Sequence, residues 1–250
     1  MLDAAYHLRG HWLALVAALL LVLGIAAPAQ PADNPDSNKV AILYDGPTNA
    51  YAKGYLHALF LQNLLGHFNL RADLIPLAAY QPGQLARHRA GFFIGATEGA
   101  VVPSALLADI RATGQPFAWM GQHIGQLLNT REARRQFGFA FQEYSRDLVY
   151  TQVIYKETVL SKGEPDLNIV SVTDPKAVEV IAIAVNRNNV RKPYVLRRGR
   201  FWYFADSPLS YMAEGDRYLV ACDLLHDILE IQHQPDGRAL VRIEDVSVDD

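Results

Sequence analysis

Cysteine is almost missing from this chain. Cys222 is the only one among 250 residues, so an intramolecular disulfide, a zinc–cysteine cluster and a thiol–thiol redox pair are all excluded. It falls on the apolar side of a predicted helix, where a thiol serves as a packing residue. Excess charge of either sign is missing too. The 23 basic and 26 acidic residues leave a net charge of −3, which excludes a basic nucleic-acid binder. Half of the residues are apolar, which excludes a disordered tail. Phosphate-binding loops are also lacking. Gly95-x-x-x-Gly99 has no Gly-Lys-Ser/Thr ending, and it is not a dinucleotide fingerprint.

What the chain does have begins with Leu13–Ala27, about fifteen residues without charge, preceded by Arg9 and His11. The run is short of the about 20 residues that span a bilayer, and Ala27-Pro-Ala29 offers a small-residue cleavage site. This order is that of a secretory signal, residues 1–29. A retained membrane anchor and a buried helix are the alternatives. The expected location is therefore periplasmic or extracellular, with contact to the inner membrane only through an uncleaved signal. Residues 30–38, rich in Pro, Asp and Asn, read as a linker.

From Lys39 to about Arg135 short apolar runs alternate with helical spacing. Strands are expected at Lys39–Tyr44, Leu70–Leu77, Ala90–Ile94 and Pro116–Met120, and helices at Ala50–Phe68 and Pro103–Ala112. A further helix starts at Gln122–Leu128. That alternation implies an α/β fold with an open, doubly wound, mostly parallel sheet over residues 39–135. Residues 136–215 change character. Leu148–Leu160, Asn168–Val172 and Val178–Val185 read as strands without helices between them, and Pro193–Ala205 as a hairpin about Arg198-Gly199. This β-rich segment is expected to pack on the α/β domain or to be inserted into it. Asp216–Ile231 is an amphipathic helix, and Ala239–Ile243 a last strand, within a final segment 216–250.

Ligands of open parallel sheets bind beyond the carboxyl ends of the strands. Three loops lie there: Asp45, Gly46 and Thr48 after the first strand, Thr97 and Glu98 after the third, and Gln122 and His123 after the fourth, at a helix start suited to an anion. Glycine and aspartate serve turns and caps equally well. Asp223, His226, Asp227 and Glu230 share one helix face, as metal ligands or as a solvated stripe. Arg187 to Arg200 interleave with Tyr194, Phe201, Trp202 and Tyr203. That mixture suits an anionic sugar polymer, or a strand with one wet face over a core. Glu244 and Asp245 stand where the last strand ends, as base and metal ligand or as a plain exposed strand end.

Four blocks resemble a known family: Phe201-Trp-Tyr-Phe-Ala-Asp-Ser-Pro-Leu-Ser-Tyr211, Asp216-Arg-Tyr-Leu-Val220, Asp223-Leu-Leu-His-Asp-Ile-Leu229 and Ala239-Leu-Val-Arg-Ile-Glu-Asp-Val246. Leu43-Tyr-Asp45, Gln62–Phe68 and Trp119–Leu127 agree with it. Together they are similar to the DUF2334 (YdaL-like) group of secreted polysaccharide-deacetylase-like proteins. The resemblance implies an N-terminal α/β domain of class I glutamine amidotransferase-like outline, followed by a deformed deacetylase barrel, of which residues 216–250 would be the amphipathic helix and the first strand. It implies Glu244 as the base and Asp245 as a ligand of a zinc-like divalent metal, in a site that a later His-x-x-x-His pair completes. No such pair follows Asp245 here. Thr97 and Glu98 stand where an amidotransferase would carry its cysteine. The expectation is a non-catalytic leading portion of a deacetylase-like protein, with no cofactor of its own and a polysaccharide as partner. The alternative is a free-standing glycan- or protein-binding module.

Overall fold

The computed structural model describes residues 36–146, 149–210, 213 and 215–232. The signal segment, the strand at Ala239–Ile243, and Glu244 and Asp245 lie outside the described residues. Strand β1 (Asp36–Tyr44) pairs in parallel with β2 (Arg71–Pro76) on one side and β3 (His88–Gly95) on the other. β4 (Phe117–Gly121) continues the parallel set. Every residue of β4 is buried, as are all but one of β3. This explains why these strands read as continuous apolar runs and not as alternations: helices cover both faces of a parallel sheet. Residues 36–38, expected in a linker, belong to β1.

Right-handed crossovers fix where the helices go. Helix α1 (Lys53–Gly66) carries the chain from β1 outward to β2, whereas α2 (Ser104–Ala112) carries it the other way, from β3 to β4. The two therefore cover opposite faces. Two short helices follow β4: α3 (Ile124–Leu127) and α4 (Arg131–Phe137). Thr130 caps α4 by accepting the Ala133 N–H at 3.1 Å, and Gly138 ends it at a φ of +76°.

Residues 136–215 do not pack on the sheet as a separate layer; five of their seven strands extend it edge to edge. The nine strands run β2-β1-β3-β4-β11-β10-β9-β6-β7. Here β6 is Tyr150–Tyr155, β7 Thr158–Ser161, β9 Glu179–Asn186, β10 Arg191–Arg198 and β11 Phe201–Phe204. β11 lies parallel to β4, with Phe201 opposite Phe117. The strands beyond it are antiparallel. β5 (Phe139–Ser145) and β8 (Leu167–Val172) form a separate two-stranded ribbon. The single strand expected over Leu148–Leu160 is a hairpin. Lys156 and Glu157 turn it with φ of +46° and +65°, a turn for which Gly or Asn is the usual signal.

The last helix, α5 (Tyr218–Leu229), buries Val220, Ala221, Leu224, Leu225, Ile228 and Leu229 in the same core. Phe68, just beyond α1, meets its His226 edge-on at 4.8 Å. Arg89 of β3 donates to the Leu229 carbonyl at 2.9 Å. The helix is thus a cover of this sheet and not the opening of a separate body. Cys222 is half-buried, and burial pushes its thiol pKa up. Among the described residues no helix is long and apolar enough to cross a membrane.

Candidate functional site

The sheet reverses its winding at β1, so the crevice between the carboxyl ends of β1 and β3 is where an open α/β sheet would seat a ligand. The chain fills that crevice itself. The side chain of Asp45, fully buried, extends from the end of β1, and its Oδ2 accepts the N–H groups of Ala96 and Thr97, each at 2.9 Å. His123 Nε2 lies 3.1 Å from the same oxygen and 2.8 Å from the Thr97 carbonyl. Both neighbours are acceptors, so Nε2 carries the proton and donates to them. His123 has a φ of +70°, which places the imidazole back over the strand ends. A Cβ on Gly46 would lie 2.9 Å from Thr97 Oγ1, and Gly46 has a φ of +79°, so only glycine passes here without strain.

Asp45, Gly46, Thr97 and His123 are therefore brought together as expected, but they fasten one another. Gln122 and His123 do not form an anion site. The helix that follows them has four residues, and the imidazole is spent on Asp45. Glu98 is exposed and pairs with Arg146. Two of the four residues on the α5 face are taken up by neighbouring side chains. Asp223 accepts from Tyr155 and Lys156, and Glu230 pairs with Arg200. Among the described residues no cluster of His, Cys, Asp and Glu could hold a metal ion. The aromatic residues near the basic cluster are core: Tyr194, Phe201, Trp202 and Tyr203 are buried. Arg197 lies over the Trp202 ring at 5.0 Å.

A cavity of about 190 Å³ opens beside this closure, still at the carboxyl end of the parallel strands. Gly95, Ala96, Gly121 and Gln122 form one wall, Lys53 and His57 of α1 another, and Asp206 and Ser207, just past β11, a third. Tyr144, Glu164, Asp166 and Asn168 complete it. His57 Nδ1 is 2.9 Å from Ser207 Oγ. Burial lowers the His57 pKa to about 4, although Glu164 acts against it. The Tyr144 hydroxyl donates to Asp166 at 2.7 Å, and burial together with that bond raises its pKa to about 12.

Behind the cavity lies a buried ionic network. Asp206 Oδ2 is 2.9 Å from both Lys162 Nζ and Arg217 Nε, and Oδ1 accepts from Tyr194 at 2.6 Å. Burial alone would raise the Asp206 pKa, but Arg217 and Lys162 outweigh it and hold the carboxyl below its usual range. Arg217 also contacts Asp216 and Ser210. Sequence reasoning missed this whole wall. Asp206 and Ser207 stand at a strand's carboxyl end, the same signal that marked Asp45. Nothing in the sequence, however, places β11 parallel to β4.

No protein-family model matches the sequence, and no curated protein sequence matches it either. Solved structures do resemble the fold. A putative ThuA-like protein from Bacteroides uniformis superimposes with a TM-score of 0.50 at 13% identity, over 79% of this chain and 93% of that one. α-L-Fucosidase isoenzyme 2 from Paenibacillus thiaminolyticus gives a TM-score of 0.54 at 12% identity, over 77% of this chain. This chain spans about a third of the fucosidase, 33% of its length. A glutamine amidotransferase from Thermotoga maritima gives a TM-score of 0.44 at 10% identity, over 78% of this chain and 86% of that one. The architecture is an α/β fold with a mixed, mostly parallel sheet, similar in fold to the ThuA-like protein.

Proposed function

We propose that this chain is the glycan-holding leading part of an exported, polysaccharide-deacetylase-like protein of the DUF2334 kind. It would carry out no metal-dependent deacetylation on its own. The observation that carries this reading is the cavity at the carboxyl ends of β4 and β11. It presents an ammonium, carboxylates, an amide and hydroxyls on a backbone floor, the mixture of donors and acceptors that a hydroxyl-rich ligand requires. The strand-end crevice that a nucleotide would need is closed by Asp45.

The test is calorimetric titration of the full chain with N-acetylated and de-N-acetylated oligosaccharides. Binding that weakens in Asp166→Ala and Lys53→Ala supports the proposal. Equal indifference to every glycan offered would end it. Metal-dependent release of acetate from an N-acetylated polymer by these 250 residues would overturn the second half of the proposal. In that case Glu244 and Asp245 would be the first residues to substitute.

A further inference from the structure

Ser207 and His57 come from opposite ends of the fold, 150 positions apart, and meet inside the cavity at 2.9 Å. Both side chains are buried apart from the surface they give to that cavity. We propose that Ser207 and His57 are a nucleophile and its general base, and that the cavity hydrolyses short acyl esters of a polar, hydroxyl-bearing compound.

Three features beyond the distance support the assignment. The first is position. Ser207 follows β11, which runs parallel to β4, so its hydroxyl sits on the ligand-binding edge of the sheet and not in its interior. Gly121, on the neighbouring wall, carries no side chain of its own, and a Cβ there would lie 3.3 Å from the Ser207 nitrogen.

The second is protonation. A base must be neutral to accept the hydroxyl proton, and burial keeps the imidazole neutral down to about pH 4. The charges acting on the ring come from Glu164, Lys53, Asp206 and Asp45; Glu164 is the strongest of the carboxylates. Lys53 lies 3.8 Å from Glu164.

The third is size and charge. A cavity of about 150 Å³ accepts a benzene molecule, so about 190 Å³ takes an acetyl-sized group with part of its alcohol. Lys53 is the one Lys or Arg among the described residues lining it, and its ammonium is paired with Glu164 at the cavity mouth.

The chemistry closes on ester and water alone. Ser207 Oγ attacks the acyl carbon while its proton passes to His57 Nδ1. The bond from acyl carbon to alcohol oxygen breaks, and that oxygen leaves with the proton from His57. Water then attacks the acyl-serine, giving its proton to Nδ1. The bond from acyl carbon to Oγ breaks, Oγ recovers the proton, and a carboxylic acid departs.

The experiment uses the full chain and 4-nitrophenyl acetate, with an alkyl fluorophosphonate as a second probe. Expected are nitrophenol release, an acetyl group trapped on Ser207 by acid quench and peptide mass spectrometry, and phosphonylation of Ser207. Ser207→Ala and His57→Gln should each lower the rate about 100-fold. The wild-type rate should fall as the pH drops through about 4. The fluorophosphonate arm needs no variant, so a misfolded His57→Gln cannot obscure the result. Labelling confined to lysines, or an undiminished rate in a folded Ser207→Ala, overturns the proposal. Glycan binding is read separately: its absence would end the reading above and leave this one standing.

Discussion

His123 and Asp45, 78 positions apart in the chain, meet at 3.1 Å over the ends of β1 and β3. With the two backbone N–H groups of Ala96 and Thr97, the histidine turns a ligand crevice into a closed joint. Removing the carboxylate leaves two backbone donors, and the His123 Nε2–H, without their shared acceptor. Asp45→Ala should therefore cost about 3 kcal/mol, and Asp45→Asn less, since an amide oxygen still accepts. Urea unfolding checks this: the midpoint should fall with the slope unchanged. A midpoint equal to that of wild type would show the joint to be ornamental.

Gly54 lies in the first turn of α1, where alanine is intrinsically the better helix former by about 1 kcal/mol. Here alanine should lose. Its Cβ would stand 2.2 Å from the Asp45 carbonyl oxygen and 2.7 Å from Oδ1. Gly54→Ala should destabilise the fold by about 2 kcal/mol. Gly66→Ala, on the same helix with nothing within 4 Å of the new Cβ, should not. Thermal midpoints of the two variants decide between propensity and packing.

Asp206 neutralises Lys162 and Arg217, whose side chains are completely buried. Asp206→Ala leaves Lys162 without its counter-charge and Arg217 with Asp216 alone, and should cost about 4 kcal/mol. The carboxyl is held below its usual range in the folded state. Its contribution is therefore full above the unfolded value of about 3.9 and is lost as the pH falls through the lower folded value. Acid titration of stability should show a loss below about pH 4 in wild type that is absent from Asp206→Ala.

His57 acts over a different window. Its folded pKa of about 4 lies below the unfolded 6.5, so between those values the unfolded chain binds the extra proton. Stability is complete above about pH 6.5 and declines as the pH falls towards 4, by up to about 3 kcal/mol. His57→Gln should flatten that slope. A slope unchanged in the variant would mean that the ring is protonated in place.

The parallel half of the fold was legible because burial on both faces leaves its mark locally. β4 is apolar throughout, β1 and β3 carry the apolar runs Val40–Tyr44 and Ala90–Ile94, and turn residues end each of them. α4 and β5 were missed although Thr130 and Gly138 mark the helix ends. The helix has seven residues and offers little periodicity. The hairpin at Lys156-Glu157 was missed because neither residue is one that ordinarily accepts a positive φ. Asp45, Thr97 and His123 were found by the rule of strand ends. That rule specifies where side chains converge, not whether they face a ligand or each other.

The sequence by itself determined that this is an α/β protein with a parallel sheet, one packing cysteine and a polar set at the strand ends, because periodicity and composition are properties of neighbouring residues. Only the tertiary structure decided that β11 returns parallel to β4, that α5 covers the same sheet, and that Asp45 closes one site while His57 and Ser207 open another. Those outcomes depend on contacts between residues as much as 150 positions apart. The geometry of such contacts is fixed by the packing of the whole core and not by the local pattern that each segment carries.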